Sequence, residues 1–477
     1  MDFPWGIFVD VGVISLALVI ATAIRARVGF FQKFLIPNAL TAGFLILPFY
    51  NFVAPHLGMS SERLGALVYH LLSISFVAMT LRKSTHRKQK GDKAIFSHSI
   101  SIIFQYSVQA LVGLFLTLFF MKTFIPKLFP SFGFFLPLGF ALVPGQAFAI
   151  GKGWEAFGFH GASSVGLTFA AVGFLWACFG GVFLINYGIR KGWMKKENID
   201  SMIKNGVKKG VFGADKKLPV GSYLTTESEA IDSMTYNGAM VLIVYFMSFM
   251  LLKFLTYLLS FAGNVGRDLA VNLWGISFVF AALTALLFKL ILKLFKVEYT
   301  LDNGTLTRFS GISVDFMVAA SIGAISLVVV LEYWIPILTI CTLGGIIITI
   351  SIPWFCSRLF TDHRFHRTLI VYGACTGTMP TGLALLRVID PEFETPVAMD
   401  YMYSTAITFF LVIPFIMAIN LPAYSYTKSN PIYFWAAIGV AACYLIFSLI
   451  SFRIIAKQRA FKFSWVIWLK EKLVHAK

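Results

Sequence analysis

Leu142-Val-Pro-Gly-Gln-Ala-Phe-Ala-Ile-Gly-Lys-Gly-Trp154 is the stretch on which the reading of this chain turns. It closes an apolar segment, 132–150, near the length of a membrane crossing, yet Pro144-Gly145 interrupts it. Proline lacks the N–H a helix needs and glycine lacks the Cβ that restricts the backbone, so the pair breaks a helix. A second stretch of the same kind, Tyr372-Gly-Ala-Cys-Thr-Gly-Thr-Met-Pro-Thr-Gly382, lies in segment 369–386. Whether these two segments cross or turn back decides the topology.

The 477-residue chain around these stretches is 58% hydrophobic and 13% charged, with mean hydropathy +0.79. Soluble domains are about 45–50% apolar and about 25% charged. The gap excludes a soluble enzyme and a disordered scaffold. Apolar segments recur at 6–24, 34–54, 64–81, 95–121, 132–150, 163–187, 238–260, 271–293, 311–331, 335–355, 369–386, 401–421 and 431–452. A span needs about 20 apolar residues, so this is a polytopic membrane protein. Net charge is +18, but the cations sit in short loops, where they report topology rather than nucleic-acid binding. Cys178, Cys341, Cys356, Cys375 and Cys443 lie in or beside apolar segments without CxxC spacing, so neither a disulfide framework nor a zinc site is expected.

The positive-inside rule places the basic clusters at 25–33, 82–93, 190–217, 289–296, 358–367 and 453–477 in the cytoplasm. Starting outside, four spans leave the chain outside at 122–131, yet 163–187 must end inside at Arg190. Segment 132–150 therefore enters and returns on the outer side. The same count makes 369–386 enter and return on the inner side. Broken backbone at membrane depth is tolerated only where protein buries it or it lines a wet cavity.

The chain then divides into a first repeat at 1–187, a basic cytoplasmic linker at 188–237, a second repeat at 238–421, and 422–477 with an extra span and a basic, aromatic tail. The expected fold is an all-α polytopic membrane protein. It has two inverted repeats of five transmembrane helices, each with a re-entrant broken hairpin, plus an extra C-terminal transmembrane helix. Phe76–Leu81 aligns weakly with Ile322–Leu327 in the third span of each half. The tail reads as an interfacial amphipathic helix. The N-terminus is expected outside and the C-terminus inside.

Such paired broken segments point to a secondary transporter with its site where they meet. Gly145, Gln146 and Ala147 of the first break, with Thr376, Gly377, Thr378, Pro380 and Thr381 of the second, are the candidate substrate-binding residues. Free N–H groups at half-helix starts attract anions. Freed carbonyls and Thr hydroxyls are hard oxygens suited to an alkali cation. Asp315, Ser75 and Ser321, with Thr378, are candidate Na⁺ ligands. Asp315 either helps hold the ion or caps its helix, and the serines serve equally as polar glue between helices. Arg387 either clamps a carboxylate or pairs with Asp390, Glu392, Glu394 and Asp400.

The chain resembles the bacterial sodium/glutamate symporters over about residues 10–421. The resemblance rests on Ile36-Pro37 through Gly43, on Gly145-Gln146, and on Gly377-Thr-Met-Pro380-Thr381. The family has His where Gln146 stands, and Gly-Thr where Ala147-Phe148 follows. The resemblance implies Na⁺-coupled symport of an acidic amino acid, glutamate foremost, by a homodimer in the bacterial inner membrane. Na⁺ would be the coupling ion, with no other cofactor. Alternatives are a channel, a carrier of another organic anion such as a dicarboxylate, or H⁺ coupling. No GxxxxGK[ST] or HExxH motif occurs, and no paired intramembrane carboxylates suggest an enzyme.

Overall fold

The computed structural model describes residues 5–83, 92–193, 220–261, 263, 270, 273–390 and 394–469. The linker residues 194–219 and the last residues of the tail, 470–477, lie outside that set. Among the described residues the regular elements are all helical, and ten helices are long and apolar enough to cross a bilayer. The protein is a multi-pass, all-α membrane protein.

The first half contains α1 (Gly6–Arg27), α2 (Asn38–Pro48), α3 (Ser61–Leu81), α4 (Asp92–Lys122), α5 (Phe135–Phe140), α6 (Pro144–Glu155) and α7 (Ala162–Arg190). The second contains α8 (Ser233–Ser260), α9 (Ser277–Leu294), α10 (Asn303–Gly323), α11 (Leu327–Glu332), α12 (Trp334–Leu359), α13 (Arg364–Thr376), α14 (Met379–Ile389) and α15 (Val397–Ala418). After these come α16 (Leu421–Thr427) and α17 (Ile432–Ala456).

The expected span 311–331 is differently built. Its helix starts eight residues earlier, at Asn303, because the Asp302 carboxylate caps it, accepting from Thr305 N at 2.7 Å. Asn303-Gly-Thr-Leu-Thr-Arg-Phe-Ser310 is too polar to read as part of a span, so the apolar pattern hides the helix start. The helix then ends at Gly323, and the chain breaks before α11. Ile322–Leu327 therefore crosses a helix end, whereas Phe76–Leu81 lies within α3, and the weak alignment of the two does not carry over to local structure.

Backbone groups freed at that break must find partners. Asn51 supplies two of them: its Nδ2 donates to Ile325 O at 2.9 Å, and its Oδ1 accepts from Leu327 N at 3.0 Å. Asn303 treats the end of α3 in the same way, accepting from Lys83 N at 2.6 Å and donating to Lys83 O at 3.1 Å. Helices α3 and α10 run antiparallel. Gly323 packs against Leu64, and farther along both helices Leu72 and Met317 meet over Gly145. Each helix end is thus held by an asparagine side chain, Asn303 from the start of α10 and Asn51 from the last turns of the second span, Asn38–Leu57.

The tail is not an amphipathic helix over its described part. Residues 460–469 form turns, because their carbonyls are engaged elsewhere. The buried Arg358 guanidinium donates to Phe463 O and Val466 O, both at 2.7 Å, and Arg364 donates to Leu469 O at 2.7 Å. A helix would have spent those carbonyls on its own N–H groups. Trp468 stacks on Trp193 with centroids 4.6 Å apart. The segment after the last span is therefore strapped across the base of α13.

Candidate functional site

Both broken segments fold back on themselves. In the first, the chain runs through α5, breaks at 141–143 and returns as α6, bringing the Trp154 ring to 4.9 Å from Phe135. In the second, α13 and α14 touch through glycines. A Cβ on Gly373 would lie 2.7 Å from Gly382 Cα, and one on Gly382 would lie 2.5 Å from Ile370 O. Only glycine permits that approach of two backbones.

Helix α15 shows where the two bases lie. Near its start, Asp400 accepts from Arg367 of α13 at 2.8 Å. Just past its end, Asn420 accepts from Trp154 Nε1 of α6 at 2.8 Å. A helix of that length is about 30 Å long, close to the hydrocarbon thickness of a bilayer. The hairpin bases therefore sit at opposite ends of the bundle.

Helix α4 shows where the tips lie. Close to its start, His98 meets the base of the second hairpin through Arg367 Nη1 at 2.9 Å. Farther along, Gly113 packs directly on the Gly133 backbone that leads into the first hairpin. Between them, Tyr106 donates to Ala141 O at 3.2 Å and Gln109 Nε2 donates to Cys375 O at 3.1 Å. One carbonyl belongs to the first break, the other to the last turn before the second. Tyr106 and Gln109 are three residues apart and so share one helix face. On the other side, a Cβ on Gly173 of α7 would lie 2.7 Å from Thr376 O and 3.0 Å from the Phe140 ring. The two tips meet between α4 and α7, halfway along the bundle.

The candidate residues fall as follows. Gly145 fits between Leu72 and Met317, where a Cβ would come within 2.8 and 2.9 Å. Gln146 and Ala147 are buried in the first turn of α6, after Val143, whose φ of +54° is a strained conformation for a β-branched residue. Gly377 forms the second break, where a Cβ would lie 3.2 Å from both the Phe174 ring and Thr381 Oγ1. Thr378 and Thr381 are buried with their hydroxyls 3.2 Å apart. Thr376 instead spends its hydroxyl on Tyr372 O at 2.7 Å. Pro380 occupies the first turn of α14, where its missing N–H leaves no bond unmade.

The remaining three stand on α3 and α10, the pair of helices against which Gly145 fits. Ser75 and Ser321 donate to Leu72 O and Val318 O of their own helices, each at 2.7 Å. Asp315 stands on the exposed face of α10, beside exposed Ile312. Among the described residues, no group of three His, Cys, Asp or Glu is placed to hold a metal ion. The oxygens at the junction are hydroxyls, amides and backbone carbonyls.

A cavity of about 300 Å³ opens beside the second tip, reaching Met379, with Arg82, Lys83, Lys289 and Asn303 in its wall. Lys289 Nζ donates to Arg82 O, and Lys83 Nζ to Tyr299 O at 3.2 Å, while Arg82 Nε is buried without a partner. The wall is net positive and suits an anion.

Other features escaped the sequence reading. Arg367, counted as a loop charge, is 1% exposed and bridges Asp362 at 2.7 Å, Asp400 and His98. Burial pushes the Asp362 carboxyl up, and the Arg367 guanidinium outweighs it, leaving the group below its ordinary value. Asp10, fully buried in α1, accepts from Tyr50 and Arg63, each at 2.6 Å, and so is a satisfied structural carboxylate. Tyr106 and Gln109 carried one signal, polarity within the apolar run 95–121. Compared with protein-family models, curated proteins and solved structures, the chain finds no match.

Proposed function

We propose that the protein is a secondary active transporter working by alternating access, with its cargo held where the two hairpin tips meet. The observation that carries this reading is the convergence of both tips on α4 from opposite ends of the bundle. Placed in a bilayer, the hairpins are re-entrant from opposite faces, and the two halves are inverted repeats. The antiparallel packing of α3 on α10, the third helix of each half, supports that symmetry. Broken helices at the midplane offer half-helix termini and unpaired oxygens to ions and charged solutes. The N-terminus is outside and the basic helix ends are cytoplasmic, in a bacterial inner membrane.

The cargo is an acidic amino acid, glutamate foremost, and the coupling ion is Na⁺. The cationic cavity wall beside the second tip supports an anionic solute. Neutral hard oxygens at the tips support an alkali ion. The resemblance to sodium/glutamate symporters supports both, along with a homodimer.

The test is tracer glutamate uptake into proteoliposomes with a Na⁺ gradient, against the same gradient of K⁺. Accumulation above equilibrium that needs Na⁺ is the expected result; uptake unchanged in K⁺ contradicts the ion assignment. Thr378→Val should cut uptake at least about tenfold, the loss of one buried bond of roughly 1.4 kcal/mol. Thr117→Val should stay within about twofold, because Thr117 donates only to Gly113 O of its own helix, at 2.9 Å. Equal losses in the two variants would remove the second tip from the cargo site.

A further inference from the structure

At the junction of the tips, one side chain has half of its bonding capacity unspent. Gln109 is 1% exposed, in the middle of α4. Its Nε2 donates to Cys375 O, which fixes which end of the amide is nitrogen. Its Oε1 then faces the other way, buried and without a donor. In the first turn of α6, the Oε1 of Gln146, 4% exposed, is also buried without a donor. Buried acceptors are rarely left in this condition, and each instance asks for an explanation.

The imbalance has a sign. The two lone pairs of Gln109 Oε1 can only accept, and the bond of the same amide to Cys375 O holds that oxygen in place. A carboxylate brings more acceptors and cannot satisfy them. A group bringing positive charge or only donors can. We propose that Gln109 Oε1 is a ligand of a monovalent cationic group held between the two hairpin tips. That group is either the Na⁺ ion or the α-ammonium of the amino-acid cargo. Gln109 would thereby join ion or cargo binding to the position of the second hairpin, whose Cys375 carbonyl it braces. This inference rests on the carrier reading above.

The test compares Gln109→Leu, which removes the oxygen, with Gln109→Glu, which keeps an oxygen and loses the N–H. Half-saturating Na⁺ and half-saturating glutamate are measured in proteoliposomes. Thermal stabilisation of the purified protein by NaCl over choline chloride is measured separately. If the ligand is Na⁺, Gln109→Leu raises half-saturating Na⁺ at least tenfold and loses the Na⁺-specific stabilisation. Glutamate half-saturation at saturating Na⁺ then stays within threefold. If the ligand is the ammonium, Gln109→Leu raises glutamate half-saturation at least tenfold with the Na⁺ response intact, and inhibition by glutarate, which lacks the amino group, is unchanged. In either case Gln109→Glu, which keeps one oxygen for the cation but sets the other against Cys375 O, is impaired less than Gln109→Leu. A Gln109→Leu protein with both half-saturations within twofold of wild type overturns the proposal, as does a Gln109→Glu variant as impaired as Gln109→Leu. Should Gln109→Leu not fold, Gln109→Met, which keeps the length and loses the oxygen, takes its place with the same expected and overturning outcomes. Absence of Na⁺-driven uptake in wild type defeats the carrier reading. The stabilisation by NaCl, or by glutamate over glutarate, still reports on Gln109, and its absence in wild type refutes the proposal too.

Discussion

Gly382→Val should abolish gradient-driven uptake while leaving a membrane-inserted protein. The added side chain has nowhere to go. Its Cβ alone would sit 2.5 Å from Ile370 O and 3.2 Å from Ala374 N, both backbone atoms of the facing arm. Backbone cannot rotate aside as a side chain can, so α14 must separate from α13. Overpacking a filled interior costs about 1–3 kcal/mol, and a backbone collision belongs at or above the upper end. The separation displaces Thr378 and Thr381, so the loss appears in transport before it appears in expression. Gly153→Ala is the control. It lies in the second arm of the first hairpin, and a Cβ there meets nothing within 4 Å. Exchanging a helical glycine for alanine there should be neutral or stabilising by up to about 1 kcal/mol. Uptake by Gly382→Val within a few-fold of wild type would mean that close apposition of the arms is dispensable.

The second large effect is expected from Arg367→Met. The guanidinium is nearly inaccessible and serves Asp362, Asp400 and His98 together. Because arginine can only donate, His98 Nε2 accepts and the ring proton stays on Nδ1. Removing the cation strands the Asp400 carboxylate, which is 13% exposed, and loosens α13 from α4 and α15. Breaking a buried ion pair from one side costs about 3–5 kcal/mol. Asp362 is half exposed and can be rehydrated, so the value belongs at the lower end of that range. Arg367→Lys keeps the charge but cannot form the planar fork, and should fall between. Thermal unfolding in detergent reads the difference. Combining Arg367→Met with Asp400→Leu should recover part of the loss, because the stranded charge leaves with its partner. An Arg367→Met protein as stable as wild type would show that the cluster contributes nothing.

What the sequence reveals of this architecture follows from what it records. Pro353 and Pro414 lie inside α12 and α15, so proline alone is no signal; it is proline beside glycine in a short segment, Pro144-Gly145 and Gly377 with Pro380, that makes both breaks legible without coordinates. Loop charges report sides, which makes the parity argument possible. They do not report depth. Arg358 and Arg367 carry the same sign as their neighbours, yet both are buried, one beneath the tail and one in an ionic cluster. The tail's alternation of basic and aromatic residues suggests a helix, and only the structure shows its carbonyls committed to Arg358 and Arg364. The polar start of α10 hides because hydropathy measures composition rather than capping. Tyr106 and Gln109 hide for another reason. A lone polar residue in a long apolar helix has many uses, and nothing in its spacing says that two distant breaks converge on it.

On the proposed topology the two hairpins rise from opposite faces of the membrane to one site. His160 and His363 test it most directly, since both are exposed and stand at the bases of the first and second hairpins. Of the native thiols, four are buried and only Cys443 is exposed, so Cys443→Ala supplies a quiet background. His160→Cys and His363→Cys, made singly, are then exposed to a membrane-impermeant thiol reagent in right-side-out and inside-out vesicles. His160→Cys should react only from the outer face and His363→Cys only from the cytoplasmic face. Reaction of both from the same face would contradict that topology.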